Sequence, residues 1–186
     1  MIQNTGKIEA EIPGGSRLSS LPFPGVISDG FRTRYRSLPH WQSGGTTYFI
    51  TFRLHGIPGH VIPLSMQERM IVRDAILFWH RTKWHVHLLT VMPDHVHILA
   101  TPCESAPNMW HSLSRILQSI KGFTAHSINV SRNMKGRLWQ SESFDRIVRD
   151  AAEYDEKAIY ILNNAAKAEI VADGWEYEGF RYEHEV

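Results

Sequence analysis

The chain has 186 residues, 42% of them hydrophobic and 21% charged, with a formal net charge of +1. That length and apolar content suit one domain with a buried core and short extensions, and the near-neutral balance excludes a fully basic nucleic-acid coat while leaving room for a local basic patch. The lone cysteine, Cys103, excludes an internal disulfide and suits a small packed side chain in a cytoplasmic protein; no apolar run nears the roughly 18 residues that span a membrane.

In chain order, the opening MIQNTGKIEAEIPGG lacks the apolar core of a signal peptide. Residues 1–35 are rich in Gly, Pro and Ser and read as a loose arm, basic near its end. There FRTRYRSLPHW sets Arg32, Arg34 and Arg36 around Tyr35. The stretch reads either as a solvated charge run or as an arm contacting phosphates, since arginine pairs with phosphate and stacks on bases. TTYFITFRL, rich in β-formers, predicts the first strand after the Gly44-Gly45 turn. Ser65 with Glu68 is a capping box that opens a helix. Ile71, Ala75 and Phe78, flanked by Val72, Ile76 and Trp79, supply its apolar stripe.

WHVHLLTVMPDHVHILATP predicts a β-hairpin turning at Met92-Pro93-Asp94. A second helix is expected from about Pro107 to Ala125, with Trp110, Leu113, Leu117, Ile120 and Thr124 on one face. A Gly-containing loop follows, and Phe144 to Val148 suits a strand. Asp150 with Glu153 opens a third helix to about Asn164, with Tyr154, Ala158 and Ile161 buried. The order β-α-β-β-α-β-α is that of an α+β, ferredoxin-like antiparallel sheet with an added helix. The catalytic unit is expected over residues 36–175, with a tail at 176–186 whose aromatics fold back onto it.

His95 and His97 alternate on a strand, so both imidazoles share one face and can chelate a divalent metal. Taken alone, the pair reads first as histidines satisfied by polar neighbours. His85 and His87 repeat the spacing on the preceding strand. In one hairpin register all four share a face, and in the next they do not. A third alternating histidine is absent, position 99 being Leu99, and no HExxH helix occurs. On the third helix, Glu153, Lys157, Tyr160 and Asn164 lie along one side. Tyr160 is either core with its hydroxyl at the edge or a nucleophile. As a nucleophile it has Lys157 one turn before it to favour the phenolate, and Asn164 one turn after it to offer an oxygen to a hard metal ion.

Taken together, VMPDHVHILATP, LWQSESFDRIVRD and EYDEKAIYILNNAAKAEIV resemble the signature blocks of REP-associated tyrosine transposases, within the single-tyrosine HUH superfamily. The resemblance runs from about Arg36 to about Trp175. It implies that His95 and His97 bind Mg2+ or Mn2+, that Asn164 is the third ligand, and that Tyr160 forms a 5′-phosphotyrosine and frees a 3′-hydroxyl. The implied partner is single-stranded or hairpin DNA of a palindromic repeat, met by a bacterial, nucleoid-associated monomer or homodimer. Arg32, Arg34 and Arg36 would then contact DNA near the hairpin foot, and Lys121, Arg146 and Arg149 read either as further backbone contacts or as solvated charges. The family usually carries Asn-Pro after the tyrosine helix and a glycine soon after, where this chain has Asn164-Ala165 and Ala168-Glu169. Alanine permits a longer helix there. That departure keeps open a second expectation, a hairpin-binding protein with weak or no cleavage; a phosphoesterase for small substrates is a third.

Overall fold

The computed structural model describes residues 32–35, 39–42, 45–57, 61–171, 177 and 180–182. Its centre is a sheet whose strands all run antiparallel to their neighbours. Strand β3 (Tyr48–Arg53) leads through helix α1 (Met66–Leu77) to the hairpin of β4 (Trp84–Val91) and β5 (His95–Pro102). Helix α2 (Leu113–Ser131) then returns the chain to β8 (Phe144–Ile147), before helix α3 (Ala151–Leu162). The strand order is β8-β3-β5-β4, extended by β9 (Phe180–Tyr182) on the outer side of β4. This is the ferredoxin-like arrangement that the order of elements predicts, and β9 is the place where the C-terminal region folds back.

Alternation along the strands gives the sheet two different faces. Ile50, Phe52, Val86, Val96, Ile98 and Ala100 point to the face covered by α1 and α2. Phe49, Leu88 and Leu99 point to the other, where Tyr154, Ala158, Ile161 and Leu162 of α3 cover them. Each fully buried aliphatic or aromatic side chain contributes about 1.5–3 kcal/mol, so the large shared core under α1 and α2 anchors the sheet. The smaller cluster fixes α3 at a set height above it.

The α1 face has its own polar lock. Ser65 and Glu68 form the expected capping box, and the Glu68 carboxylate also receives Nε and Nη2 of Arg132 at 2.6 and 2.7 Å. That pairing holds the Glu68 carboxyl below its usual range and joins the start of α1 to the end of α2.

Several expectations are corrected. Phe78 caps α1, is 71% exposed and packs edge-on against Trp79 rather than in the core. The second helix begins at Leu113, not near Pro107, because β6 (Glu104–Ala106) and β7 (Met109–Trp110) form a small hairpin there. Asn108 supplies its left-handed turn at φ 58°, with the Glu104 carboxylate accepting the Asn108 amide at 2.7 Å. Trp110 therefore lies on β7, and the buried face of α2 runs on to Ile128. The basic stretch becomes a hairpin of β1 (Arg32–Tyr35) and β2 (Pro39–Gln42), with β2 lying beside β8. Arg36 lies outside the described residues, as does the arm that precedes β1. Among the described residues, no helix is long and apolar enough to cross a membrane.

Candidate functional site

The turn between β4 and β5 closes with the Met92 amide on the His95 carbonyl at 2.8 Å, so β5 begins at His95 itself. Register then sets the neighbours: Arg53 opposite His95, and Thr51 and Thr90 on either side of His97. His95, His97 and Leu99 alternate onto the face that α3 covers, while Val96 points into the α1–α2 core.

Both rings are held through the same nitrogen. His95 Nδ1 lies 2.6 Å from the Asp94 carboxylate, and His97 Nδ1 lies 2.7 Å from the Thr51 hydroxyl. A carboxylate oxygen accepts, so the Nδ1–H of His95 donates to Asp94 and leaves Nε2 as the ring's other nitrogen. The ring centroids are 4.7 Å apart. His97 Nε2 is buried and, among the described residues, has no hydrogen-bond partner. Burial, aided by the neighbouring His95 and Arg53, lowers the His97 pKa to about 3, so the ring is neutral at physiological pH. A neutral ring anchored at Nδ1 and open at Nε2, as in His97, is the form in which imidazole ligates a metal. The buried Nε2 of His97, otherwise costly to leave unmade, fits a cation at this position. Among the described residues no three His, Cys, Asp or Glu side chains gather to hold an ion.

Helix α3 brings Tyr160 to the same place. Its ring packs edge-on against His97, with centroids 5.1 Å apart, and edge-on against Phe49 at 5.9 Å. Phe49 in turn lies nearly parallel to His97 at 5.5 Å. Tyr160 is 38% exposed, so one edge of the phenol meets solvent while the other is fixed by aromatic contacts. Lys157 places its ammonium 5.7 Å from the Phe49 ring and donates to Glu156 at 2.7 Å, and Lys167 sits 5.7 Å from the Tyr160 ring.

Asn164 does not continue the tyrosine helix. Asn163, at φ −80° and ψ 0°, ends α3, and Asn164 opens a separate turn, α4 (Asn164–Lys167). Asn164 is 9% exposed, and Ala165 beside it packs against Met92 and Tyr177. Because Met92 stands in the turn leading to His95, this packing draws α4 toward the histidine end of the sheet.

The other expected residues take different places. Arg146 and Arg149 both pair with Glu153, at 2.9 and 2.8 Å, which places them at the start of α3 on the histidine face. Lys121 is on the opposite side of the sheet, donating to the Ser141 carbonyl and the Ser143 hydroxyl, both at 3.2 Å. Of Arg32 and Arg34, the backbone strand is described. The rival histidines gather elsewhere. The register shifts between Val86 and Leu88, leaving His87 Nε2 at 2.9 Å from the Thr101 hydroxyl. His80, His85 and His87 then cluster at the far end of the hairpin from His95. Thr51, Asp94 and Phe49 escaped sequence reasoning. Asp94 had a signal in its position just before His95, whereas Thr51 and Phe49 depend on a strand register that the sequence does not display.

Residues 73–164 match the family model described as "Transposase IS200 like". A solved structure of a REP-associated tyrosine transposase bound to a REP hairpin superposes with a TM-score of 0.62 at 20% identity, covering 80% of this chain and 82% of that one. A transposase-like protein from Deinococcus radiodurans R1 aligns at 18% identity over 61% of this chain and 86% of that one, with a TM-score of 0.41. No curated protein matches the sequence. The chain thus has the fold of a REP-associated tyrosine transposase, and its residues 73–164 are similar to the IS200-like transposase family.

Proposed function

We propose that the chain cleaves and rejoins single-stranded DNA at palindromic hairpins through a covalent tyrosine intermediate. The observation that carries this reading is the edge-on packing of Tyr160 on His97 within one chain, on the face where both imidazoles open. The phenol oxygen of Tyr160 would form a new bond to the scissile phosphorus while the bond from phosphorus to the 3′ oxygen breaks. The phenol proton goes to solvent, and the 3′ oxygen leaves as a hydroxyl after taking a proton. The 5′-phosphotyrosine keeps the phosphoester bond energy for the reverse step, in which a 3′-hydroxyl displaces tyrosine.

His95 and His97, with the Asn164 side chain as third ligand, would hold Mg2+ or Mn2+. Such an ion polarises the phosphate and offsets developing charge when bound. Asp94 and Thr51 keep the imidazoles turned toward it, and Phe49 steadies both His97 and Tyr160. Lys157 and Lys167 add positive charge near the phenol, which favours an approaching phosphate. Arg32, Arg34 and Arg36 would meet the DNA backbone along the β1–β2 side, and Arg146 and Arg149 along the edge of α3. Lys121, on the other face, reaches only DNA that passes around β8. The match to a hairpin-bound transposase fold supports the choice of substrate.

Hairpin oligonucleotides with randomised single-stranded flanks, incubated with the protein and Mn2+, test the reading on a denaturing gel. A covalent adduct is expected with the wild type and none with Tyr160→Phe. An undiminished adduct with the phenylalanine variant would sink the assignment.

A further inference from the structure

Phe144 opens the edge strand β8 and is 49% exposed. A lone exposed apolar side chain is ordinary on a protein surface, but the position of this one is set by the sheet. Phe144 is opposite Thr51, and Thr51 is opposite His97, so the three form one row across β8, β3 and β5. With neighbouring strands about 4.8 Å apart, Phe144 stands about 10 Å from the histidine that Tyr160 touches. Thr51 and Phe49 alternate onto the histidine face, and so do their partners Phe144 and Arg146. Asp145, opposite Ile50, points to the α1–α2 face.

The row has a floor and a rim. Thr51 is tied to His97 by its hydroxyl, so the backbone beside Phe144 is as fixed as the site itself. Arg146, two residues along β8, is held by Glu153 of α3, and Lys157 lies on the same helix. Arg53 lies on the other flank, beside Asp94 at 3.6 Å. An open aromatic ring with Arg146 and Arg53 two positions away on its own and the neighbouring strand suits a nucleotide, whose base has a π-face and whose phosphates are anionic. A helix or sheet from another protein would have to cover these charges for the sake of one ring.

We propose that Phe144 is a stacking shelf for one unpaired base of the single-stranded DNA beside the bond that Tyr160 attacks. The proposal rests on the reading of Tyr160 and the histidine pair as a DNA-cleaving site. The shelf orients the strand: a base seated on it fixes the adjoining phosphate over His95 and His97. Duplex DNA keeps its bases stacked on one another and offers no free face, so the shelf selects unpaired flanks over hairpin stems.

The randomised-flank hairpin pool first yields the cleaved sequence from its wild-type adduct. Binding is then measured by fluorescence anisotropy on that oligonucleotide, in a Tyr160→Phe background that keeps it intact, with an abasic site at each flank position in turn. Phe144→Leu, which keeps apolar volume, and Phe144→Ala are both expected to weaken binding by roughly five- to a hundredfold. One abasic position should cost a similar factor, and combining it with Phe144→Leu should cost nothing more. Phe144→Trp should restore affinity. A normal wild-type adduct with Phe144→Leu binding like its parent would overturn the shelf alone, as would fully additive losses at every abasic position. Absence of any wild-type adduct would overturn the cleavage reading, and the shelf with it.

Discussion

At the scale of single residues, the site depends on which nitrogen of each histidine is engaged. Thr51 and Asp94 occupy the two Nδ1 atoms and so leave the Nε2 atoms as the nitrogens that could meet a metal. Partners of this kind fix tautomer and ring orientation, and their loss typically weakens metal binding about 10–100-fold. Thr51→Val keeps the shape and removes the hydroxyl. Titration with Mn2+, followed by calorimetry, should show a loss in that range, with the thermal midpoint little changed. An unchanged affinity would mean that Thr51 does not orient His97. The remote histidines report on stability instead. Burial, with His85 and His80 nearby, lowers the His87 pKa to about 3 from an unfolded value near 6.5. Between those values the unfolded chain binds a proton that the folded chain refuses. Stability is therefore full above about pH 6.5 and falls as the pH drops toward 3. His87→Gln removes this proton uptake, so the loss between pH 7 and pH 5 in urea melts should shrink by up to about 2 kcal/mol. An identical loss in the variant would assign the acid sensitivity elsewhere.

At the scale of elements, the decisive piece is the break between α3 and α4. The α4 turn ends with the Ile170 amide on the Ala165 carbonyl and the Glu169 amide on the Ala166 carbonyl, both at 3.0 Å. These are the paired bonds of a Schellman motif, and its left-handed position is Glu169 at φ 56°. The left-handed position that ordinarily falls to glycine is thus taken here by a glutamate, at a steric cost of about 1–2 kcal/mol. Glu169→Gly relieves that cost but adds flexibility to the unfolded chain, worth about 0.5–1 kcal/mol. A net stabilisation of about 0.5–1 kcal/mol is expected in denaturant melts; destabilisation would show that the Glu169 side chain makes a compensating contact. Elements of this sort mark where sequence reading stops. The strand TTYFITFRL, the Ser65 capping box and the Tyr154-Ala158-Ile161 stripe announce themselves by period and cap chemistry. The β6–β7 hairpin does not, because its turn rests on a left-handed Asn108 and on side-chain bonds from Glu104 and Ser105. The bulge at His87 does not either, and the two histidine pairs stand apart because His85 lies opposite Thr101, four residues along β5 from His97.

At the scale of the whole molecule, the question is which chain supplies the tyrosine. The two halves of the site come from distant parts of the sequence, and one fold joins them: β5 carries the histidines, and α3 lies over Phe49 and Leu99 of the same sheet. The contact of Tyr160 with His97 is made inside one chain, through a helix whose buried face packs on Phe49, Leu88 and Leu99 of the same sheet. Asp150 caps the start of that helix and Glu153 ties it to β8, while Ala165 docks its far end near Met92. A tyrosine exchanged between subunits would have to break all three attachments. Mixing two inactive variants separates the cases. His97→Ala keeps the tyrosine and Tyr160→Phe keeps the histidines, so a dimer with exchanged tyrosines would rebuild one intact site from an equal mixture. The cis arrangement rebuilds none, and the mixture should form no more adduct with hairpin DNA than either variant alone. Recovery near one quarter of wild-type adduct, the yield of random pairing with a single restored site in half of the dimers, would instead require that α3 undock and cross to its neighbour.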